Sequence, residues 1–326
     1  MYVSHYLEFQ NHVTGGIRES VRQQRKMLDH LEIAYTEEID LEVDIVHLNL
    51  MGPRSLLFAK RAKSAEVPVV IHTHVTAEDF RDSMRFSNTI ARPLKPYLQW
   101  AYGSGDLLIC PSTYTERVIN DYTDVDTTVI SNGVDTEKLE GFADLRDEYL
   151  NRYDLTPPVV FMVGHVYKRK GLETFVTTAR QLPSLDFVWF GPLELPLKDR
   201  ETKRLITESP DNCTFTGIID DIREAYAVGD IFYFPTYVEN EGMTLLEALM
   251  TGKAIVVRDI EAFDWLEDGV HCLKRDGNFD DAIEALCDAD YRAHLGVQAE
   301  ELSENFHLEN VTITLKACYE GLLDNG

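Results

Sequence analysis

Short runs of β-branched and aromatic residues alternate along the chain with longer stretches whose apolar positions recur at helical spacing. In the first half the runs lie near 2–5 and 31–36, then at VDIVHL (43–48), VPVVIHT (67–73), DLLICP (106–111) and TTVIS (127–131). The second half repeats the theme with PPVVFMVG (157–164), DFVWFG (186–191), CTFTG (213–217), DIFYFP (230–235) and KAIVV (253–257). Continuously apolar strands separated by amphipathic helices build parallel sheets covered by helices on both faces. The predicted fold class is therefore α/β, with two Rossmann-like units in series.

Between the halves, SNGVDTEKLEGF (131–142) combines Asn-Gly turn chemistry with a polar, acidic stretch that lacks strand character. It predicts an N-terminal domain over 1–140 and a C-terminal domain over 141–304, with a ligand cleft at their junction. Residues 307–323 place Leu308, Val311, Leu315, Tyr319 and Leu322 at helical spacing with no strand following. That helix, within 305–326, is expected to cross back to the first domain and pack across both.

Length and composition fit this picture: 326 residues with 44% hydrophobic content suit two packed cores. The start, MYVSHYLEF, carries no basic leader, and no segment reaches the roughly 18 apolar residues of a membrane span, so a cytoplasmic protein is expected. Cys110, Cys213, Cys272, Cys287 and Cys318 are scattered without a C-x-x-C pair, the pattern of reduced thiols.

Charge changes the picture more. The formal net charge of -25 and the pI near 4.7 argue against nucleic acid as a partner and fit a salt-adapted, halophilic cytoplasm. Residues 1–100 hold 12 Lys+Arg against 13 Asp+Glu, net -1, so residues 101–326 carry the remaining -24. Apart from Arg54, these basic residues fall in three groups: Arg18, Arg22, Arg25 and Lys26; Lys60, Arg61 and Lys63; Arg81, Arg85, Arg92 and Lys95. Each is a candidate contact for phosphate or an anionic surface.

Four stretches carry candidate chemistry. Gly15 and Gly16 stand between the first strand and the first helix, where bare N–H groups attract a phosphate or hydroxylated ligand; turn geometry alone also explains such a pair. GHVYKRKGLETF (164–175) brings Lys168, Arg169 and Lys170 to a helix start, which is unfavourable for the helix dipole unless an anionic ligand sits there. A solvated charge run is the alternative. PTYVENEGMTLLEALMTG (235–252) turns through Gly242 into a helix, so the N–H groups of Met243, Thr244 and Leu245 suit a diphosphate. Glu239 in the loop and Glu247 within the helix can then grip ligand hydroxyls from two sides, and Glu241 reads as a first-turn acid. A cleft carboxylate such as Glu239 is expected to be replaceable with little loss of stability.

The fourth stretch, VIHTHVTAEDF (70–80), sets His72 and His74 on one side of a strand, as a metal pair, as core histidines or as a catalytic-site histidine. Asp124-Val125-Asp126 and Asp288-Ala289-Asp290 spell D-x-D in settings that favour solvated surface, and the Asn212 and Asn310 sequons are read as coincidental.

Taken in order, the Gly-Gly turn, HTHVTAEDF, SNGVD, GHVYKRKG and PTYVENEGMTLLEA resemble glycosyltransferase family four, the retaining enzymes of GT-B architecture. The resemblance covers nearly the whole chain and is most specific in the Glu, seven residues, Glu pattern. ENEG and the basic aromatic stretch after HTHVTAEDF look most like the branch that glucosylates diacylglycerol.

The resemblance implies two Rossmann-like domains facing across a cleft, with a nucleotide-diphosphate hexose on the second domain and the acceptor on the first. By resemblance, Glu247 matches the ribose-binding glutamate, Glu239 the glutamate at the donor sugar, Lys170 the diphosphate lysine and His74 the histidine near the reacting carbon. Gly16, beside Gly15, matches the acceptor-side loop. No metal or other cofactor is implied. The chain departs from the family at His165, where an Arg is usual, leaving the diphosphate grip to Lys168, Arg169 or protonated His165, and it is short between Gly16 and VDIVHL.

FRDSMRFSNTIARPLKPYLQW (80–100) interleaves Phe80, Phe86, Tyr97 and Trp100 with Arg81, Arg85, Arg92 and Lys95, either as an interfacial membrane helix or as a packing helix interrupted by Pro93 and Pro96. With the near-neutral first hundred residues, this favours peripheral contact with the anionic inner face of the cell membrane. The expected activity is hexosyl transfer from a UDP- or GDP-sugar to a lipid or lipid-linked glycan. A soluble or surface-polysaccharide acceptor, a nucleotide-sugar epimerase and a non-catalytic sugar-nucleotide binder are the alternatives.

Overall fold

The computed structural model describes residues 1–81, 87–193 and 200–324. The described chain forms two compact units, one of Met1–Phe80, Asn88–Val134 and the stretch from Asn305, the other of Asp135–Glu304.

In the first unit, β1 (Tyr2–Tyr6), β2 (Ala34–Thr36), β3 (Ile45–Leu48), β4 (Val69–His72), β5 (Leu107–Cys110) and β6 (Thr127–Val129) make a parallel sheet in the order β2-β1-β3-β4-β5-β6. Alternate residues serve opposite cores, as the two-residue period requires. Val46 and Leu48 meet Phe58 of α2 (Pro53–Ser64) and Leu98 and Tyr102 of α4 (Ser87–Tyr102). Ile45, Val70 and Ile109 face the other way, onto Met27 and Leu28 of α1 (Gly16–His30) and onto the C-terminal helix Leu308–Asp324.

That terminal helix contributes Leu308, Val311, Leu315 and Tyr319 to the core of the first unit. Its entry is fixed by backbone pairing: the Val134 N–H donates to Phe306 O (2.8 Å) and the Leu308 N–H to Val134 O (3.2 Å). The division therefore falls after Val134, six residues ahead of the expected 140. Residues 135–140 belong to the second unit because Leu139 is buried there and Lys138 pairs with Glu247.

The predicted helix over 80–100 is divided. Ala77–Phe80 forms a short α3 and α4 begins at Ser87, while Asp82–Phe86, including Arg85 and Phe86, lie outside the described residues. Pro93 and Pro96 sit within α4 at exposed positions without ending it.

The second unit holds β7 (Val159–Val163), β8 (Asp186–Phe190), β9 (Cys213–Gly217), β10 (Ile231–Phe234), β11 (Ala254–Arg258) and β12 (Leu273–Arg275), parallel in the order β12-β11-β10-β7-β8-β9. The last strand, LKR, is three residues long and mostly charged, so its sequence carries no strand pattern. An aromatic core of Phe161, Phe175, Phe187, Trp189 and Tyr233 is fully buried. Strand order reverses between β7 and β10, and crossovers leave those two strands toward opposite faces. Their carboxyl ends consequently flank a crevice, the usual ligand position in an open α/β sheet.

Candidate functional site

Two loops border the crevice of the second unit, one leaving β7 toward α7 (Leu172–Gln181) and one leaving β10 toward α10 (Met243–Met250). They are bound to each other. The carbonyl of Arg169 accepts from the Tyr237 N–H (2.8 Å) and the Thr236 hydroxyl (3.1 Å), and its guanidinium donates to Val238 O (3.2 Å). Gly171 has φ 83°, and a Cβ there would lie 2.3 Å from Pro235 O. Only glycine allows this approach.

The same contact brings Lys170 to Glu239 as an ion pair, with the ammonium 4.9 Å from the centre of the Phe234 ring. Lys168 is held elsewhere, paired with Glu201 of α8 (Arg200–Thr207), so the expected three-cation cluster is split. His165 stacks on Tyr167 with ring centres 5.2 Å apart.

Gly242, at φ 89°, caps α10. The Leu245 N–H donates back to Gly242 O at 2.8 Å, so it is engaged within the turn and is not one of the outward donors expected of it. Helix geometry leaves the N–H groups of Met243 and Thr244 without intrahelical acceptors. Glu241 is buried and precedes the cap, which removes it from the first turn where the sequence placed it.

Glu247 is 4% exposed. Its Oε2 accepts from the Tyr226 hydroxyl at 2.7 Å and its Oε1 from Lys138 Nζ at 2.7 Å. Tyr226 lies in α9 (Arg223–Val228) and is fully buried; burial first, then the charge of Glu247, hold its hydroxyl well above the usual tyrosine range. The sequence signalled neither partner. REAYAV reads as a core helix, and Lys138 as one charge in a polar turn.

In the first unit, β4 ends at His72, so His74 sits just beyond the strand rather than on it. Its ring stacks on His72 at 4.3 Å and its Nε2 lies 3.0 Å from Asn49 Oδ1. Two histidines not singled out in the sequence complete a layer: His47 stacks on His72 at 5.9 Å and lies 4.9 Å from His5. Gln24 joins His5 (2.8 Å) to His72 (3.1 Å), and His47 Nδ1 meets the Tyr319 hydroxyl at 2.5 Å. Burial depresses all four: His5 to about 4, His74 to about 3, and His47 and His72 well below the ordinary value. Neutral imidazoles are the stable form. Among the described residues no group of three or more His, Cys, Asp or Glu side chains could hold a metal ion.

Gly15, at φ 68°, caps α1, and Gly16 opens that helix with no atom within 4 Å of the Cβ it lacks. An adjoining cavity of about 640 Å³ is bordered by Gly15, Arg18, Arg22, Arg25 and Lys26.

Comparison with known proteins decides what this arrangement belongs to. Residues 12–138 match the family described as Glycosyltransferase Family 4, and residues 157–289 match Glycosyl transferases group 1. A processive diacylglycerol alpha-glucosyltransferase of Acholeplasma laidlawii is 33% identical over 273 residues, which cover 82% of this chain and 81% of that protein. The chain belongs to glycosyltransferase family four. The transferase is also 28% identical, over 79% of its length and 71% of the relative's, to an alpha-galactosylglucosyldiacylglycerol synthase of Streptococcus pneumoniae (strain ATCC BAA-255 / R6). Its fold matches Anabaena Alr3699/HepE, solved in complex with UDP and glucose, with a TM-score of 0.74 at 17% identity, covering 98% of this chain and 99% of that one. The two parallel-sheet units of the transferase are thus those of a GT-B enzyme.

Proposed function

We propose that this glycosyltransferase moves a hexose, with retention, from a nucleotide-diphosphate sugar to a diacylglycerol-type lipid acceptor. The observation that carries the reading is the convergence of Lys170, Glu239, Glu247 and the start of α10 on one crevice of the second unit. It offers what such a donor needs: a cation and a helix N-terminus for the diphosphate, and two carboxylates for sugar and ribose hydroxyls. UDP is the favoured donor nucleotide, in keeping with the UDP complex of the fold relative. The lipid acceptor follows from the activities named for the two glycolipid-forming relatives.

In this reading the leaving diphosphate oxygen takes the proton of the acceptor hydroxyl as the new bond forms on the same face of the sugar. Lys170 and the Met243 and Thr244 N–H groups stabilise the departing charge, without a metal. The first unit supplies the acceptor side through the Gly15-Gly16 turn and a neutral His74, which serves as a hydrogen-bonding group. Peripheral contact with an anionic bilayer at the cytoplasmic face is part of this reading, supported by the exposure of Arg92 and Trp100 of α4. Among the described residues no helix is long and apolar enough to cross it.

The test is a radiolabelled transfer assay in high salt, suited to so acidic a chain, with UDP- and GDP-hexoses offered with and without diacylglycerol vesicles. Lipid-dependent labelling that Glu239→Gln abolishes is the expected result. Donor hydrolysis or isomerisation that ignores lipid would reject the lipid acceptor.

A further inference from the structure

Glu247 has two carboxylate oxygens, and the second unit treats them differently. Oε2 faces the interior, where Tyr226 is fully buried: its ring packs edge-on against Phe161, 5.7 Å between centres, and its hydroxyl also lies 3.2 Å from Thr244 O. A ligand cannot take the place of that hydroxyl without opening the core. Oε1 faces Lys138, whose side chain is 24% exposed and stands on the short turn Thr136–Leu139. The ammonium ends a long, flexible stem on a partly exposed side chain.

We propose that Tyr226 is a positioning residue for the donor's ribose and that Lys138 fills the ribose seat until a donor arrives. This rests on the nucleotide-sugar reading of the crevice. Tyr226 fixes the rotamer of Glu247, leaving Oε1 as the acceptor for a ribose hydroxyl, and that hydroxyl replaces Lys138 Nζ. The exchange keeps the buried carboxylate hydrogen-bonded in both states, as a group 4% exposed requires. It also makes the affinity for ribose a competition between a hydroxyl and an ammonium. The competition is tuned by a residue outside the Glu, seven residues, Glu block.

The experiment is calorimetric titration of the full chain with UDP and with 2′,3′-dideoxy-UDP, which lacks both ribose hydroxyls, for wild type, Tyr226→Phe and Lys138→Met. Wild type is expected to prefer UDP by about tenfold or more, the order of one charge-assisted hydrogen bond. In Tyr226→Phe that preference should collapse toward unity, with affinity for the dideoxy probe unchanged. Lys138→Met should bind UDP a few-fold more tightly and the dideoxy probe as wild type does.

Equal losses for both probes in Tyr226→Phe would make Tyr226 a packing residue only, and an unchanged preference would likewise overturn the proposal. Weaker UDP binding in Lys138→Met would overturn the seat-filling role, and that variant, altered at a partly exposed side chain, decides the matter even if Tyr226→Phe fails to fold. Wild type that binds neither UDP nor its dideoxy analogue would instead reject the uridine-nucleotide donor reading itself.

Discussion

Lys170 and Glu239 form an ion pair between the loop that leaves β7 and the loop that leaves β10, with side chains 13% and 11% exposed. A pair so shielded from water is coupled to the fold, because removing one member leaves the other charge without compensation. This alters the expectation that Glu239 could be replaced at little cost in stability. Glu239→Gln and Lys170→Met should each abolish transfer and each lower stability by about 1–3 kcal/mol, while the double variant loses less than their sum. Chemical denaturation of the four proteins closes the cycle, and strictly additive losses would show the two residues to be independent.

Two glycines give opposite outcomes on substitution. Gly171→Ala forces a Cβ to within 2.3 Å of Pro235 O at a φ of 83°, so it should cost more than about 2 kcal/mol and separate the loops that leave β7 and β10. Gly16→Ala meets nothing within 4 Å, and its stability should stay within about 0.5 kcal/mol of wild type. Its transfer to lipid should nonetheless fall. Thermal melts and kinetics with varied acceptor test both, and an unaltered acceptor KM in Gly16→Ala would remove that turn from the acceptor side.

The histidine layer predicts an acid-sensitive first unit. An unfolded histidine titrates near 6.5, whereas His5 titrates near 4 and His74 near 3, with His47 and His72 also depressed. Between those limits the unfolded chain binds more protons than the folded one. Stability is therefore fully present above about pH 6.5 and is lost as the pH falls toward 4, by about 1.4 kcal/mol per pH unit for each proton. Urea midpoints at pH 7 and pH 5 should show the drop, and His5→Gln should flatten it. If His5→Gln retains the full pH dependence, His5 is not one of its sources.

Membrane contact should divide along the faces of α4. Arg92 and Trp100 are exposed, Trp100 by 64%, whereas Lys95 pairs with Glu78 at 3.7 Å and lies over the Tyr122 ring. Arg92→Ala and Trp100→Ala should each reduce sedimentation with phosphatidylglycerol vesicles by several-fold without changing the melting temperature. Lys95→Ala should alter stability more than binding. Equal vesicle binding by all three would place the contact elsewhere.

Twelve strands form among the described residues, and eleven coincide with runs legible in the sequence: those buried on both faces, such as VVIH and IFYF, are continuously apolar, while the half-exposed AYT, TTV and CTFTG stand out by their β-branched and aromatic residues. The twelfth, LKR, forms at a sheet edge where pairing with β11 substitutes for pattern. The Glu, seven residues, Glu spacing and the glycine within it were equally visible, since a loop-to-helix turn places both carboxylates from local geometry alone.

What the sequence by itself determined, then, is whatever depends on residues near one another in the chain: strands, helices, the Gly242 cap and the candidate carboxylates. Partnership was decided only by the tertiary structure. Lys138 and Glu247 are 109 residues apart, Lys170 and Glu239 are 69 apart, and the histidine layer is assembled from three strands and the loop after β4. Three cations adjacent in sequence were sent to three different acceptors, because a tight turn of lysine and arginine points successive side chains in different directions. A buried charge takes its partner from whatever the packed sheets bring within reach, and that distance is absent from a linear chain.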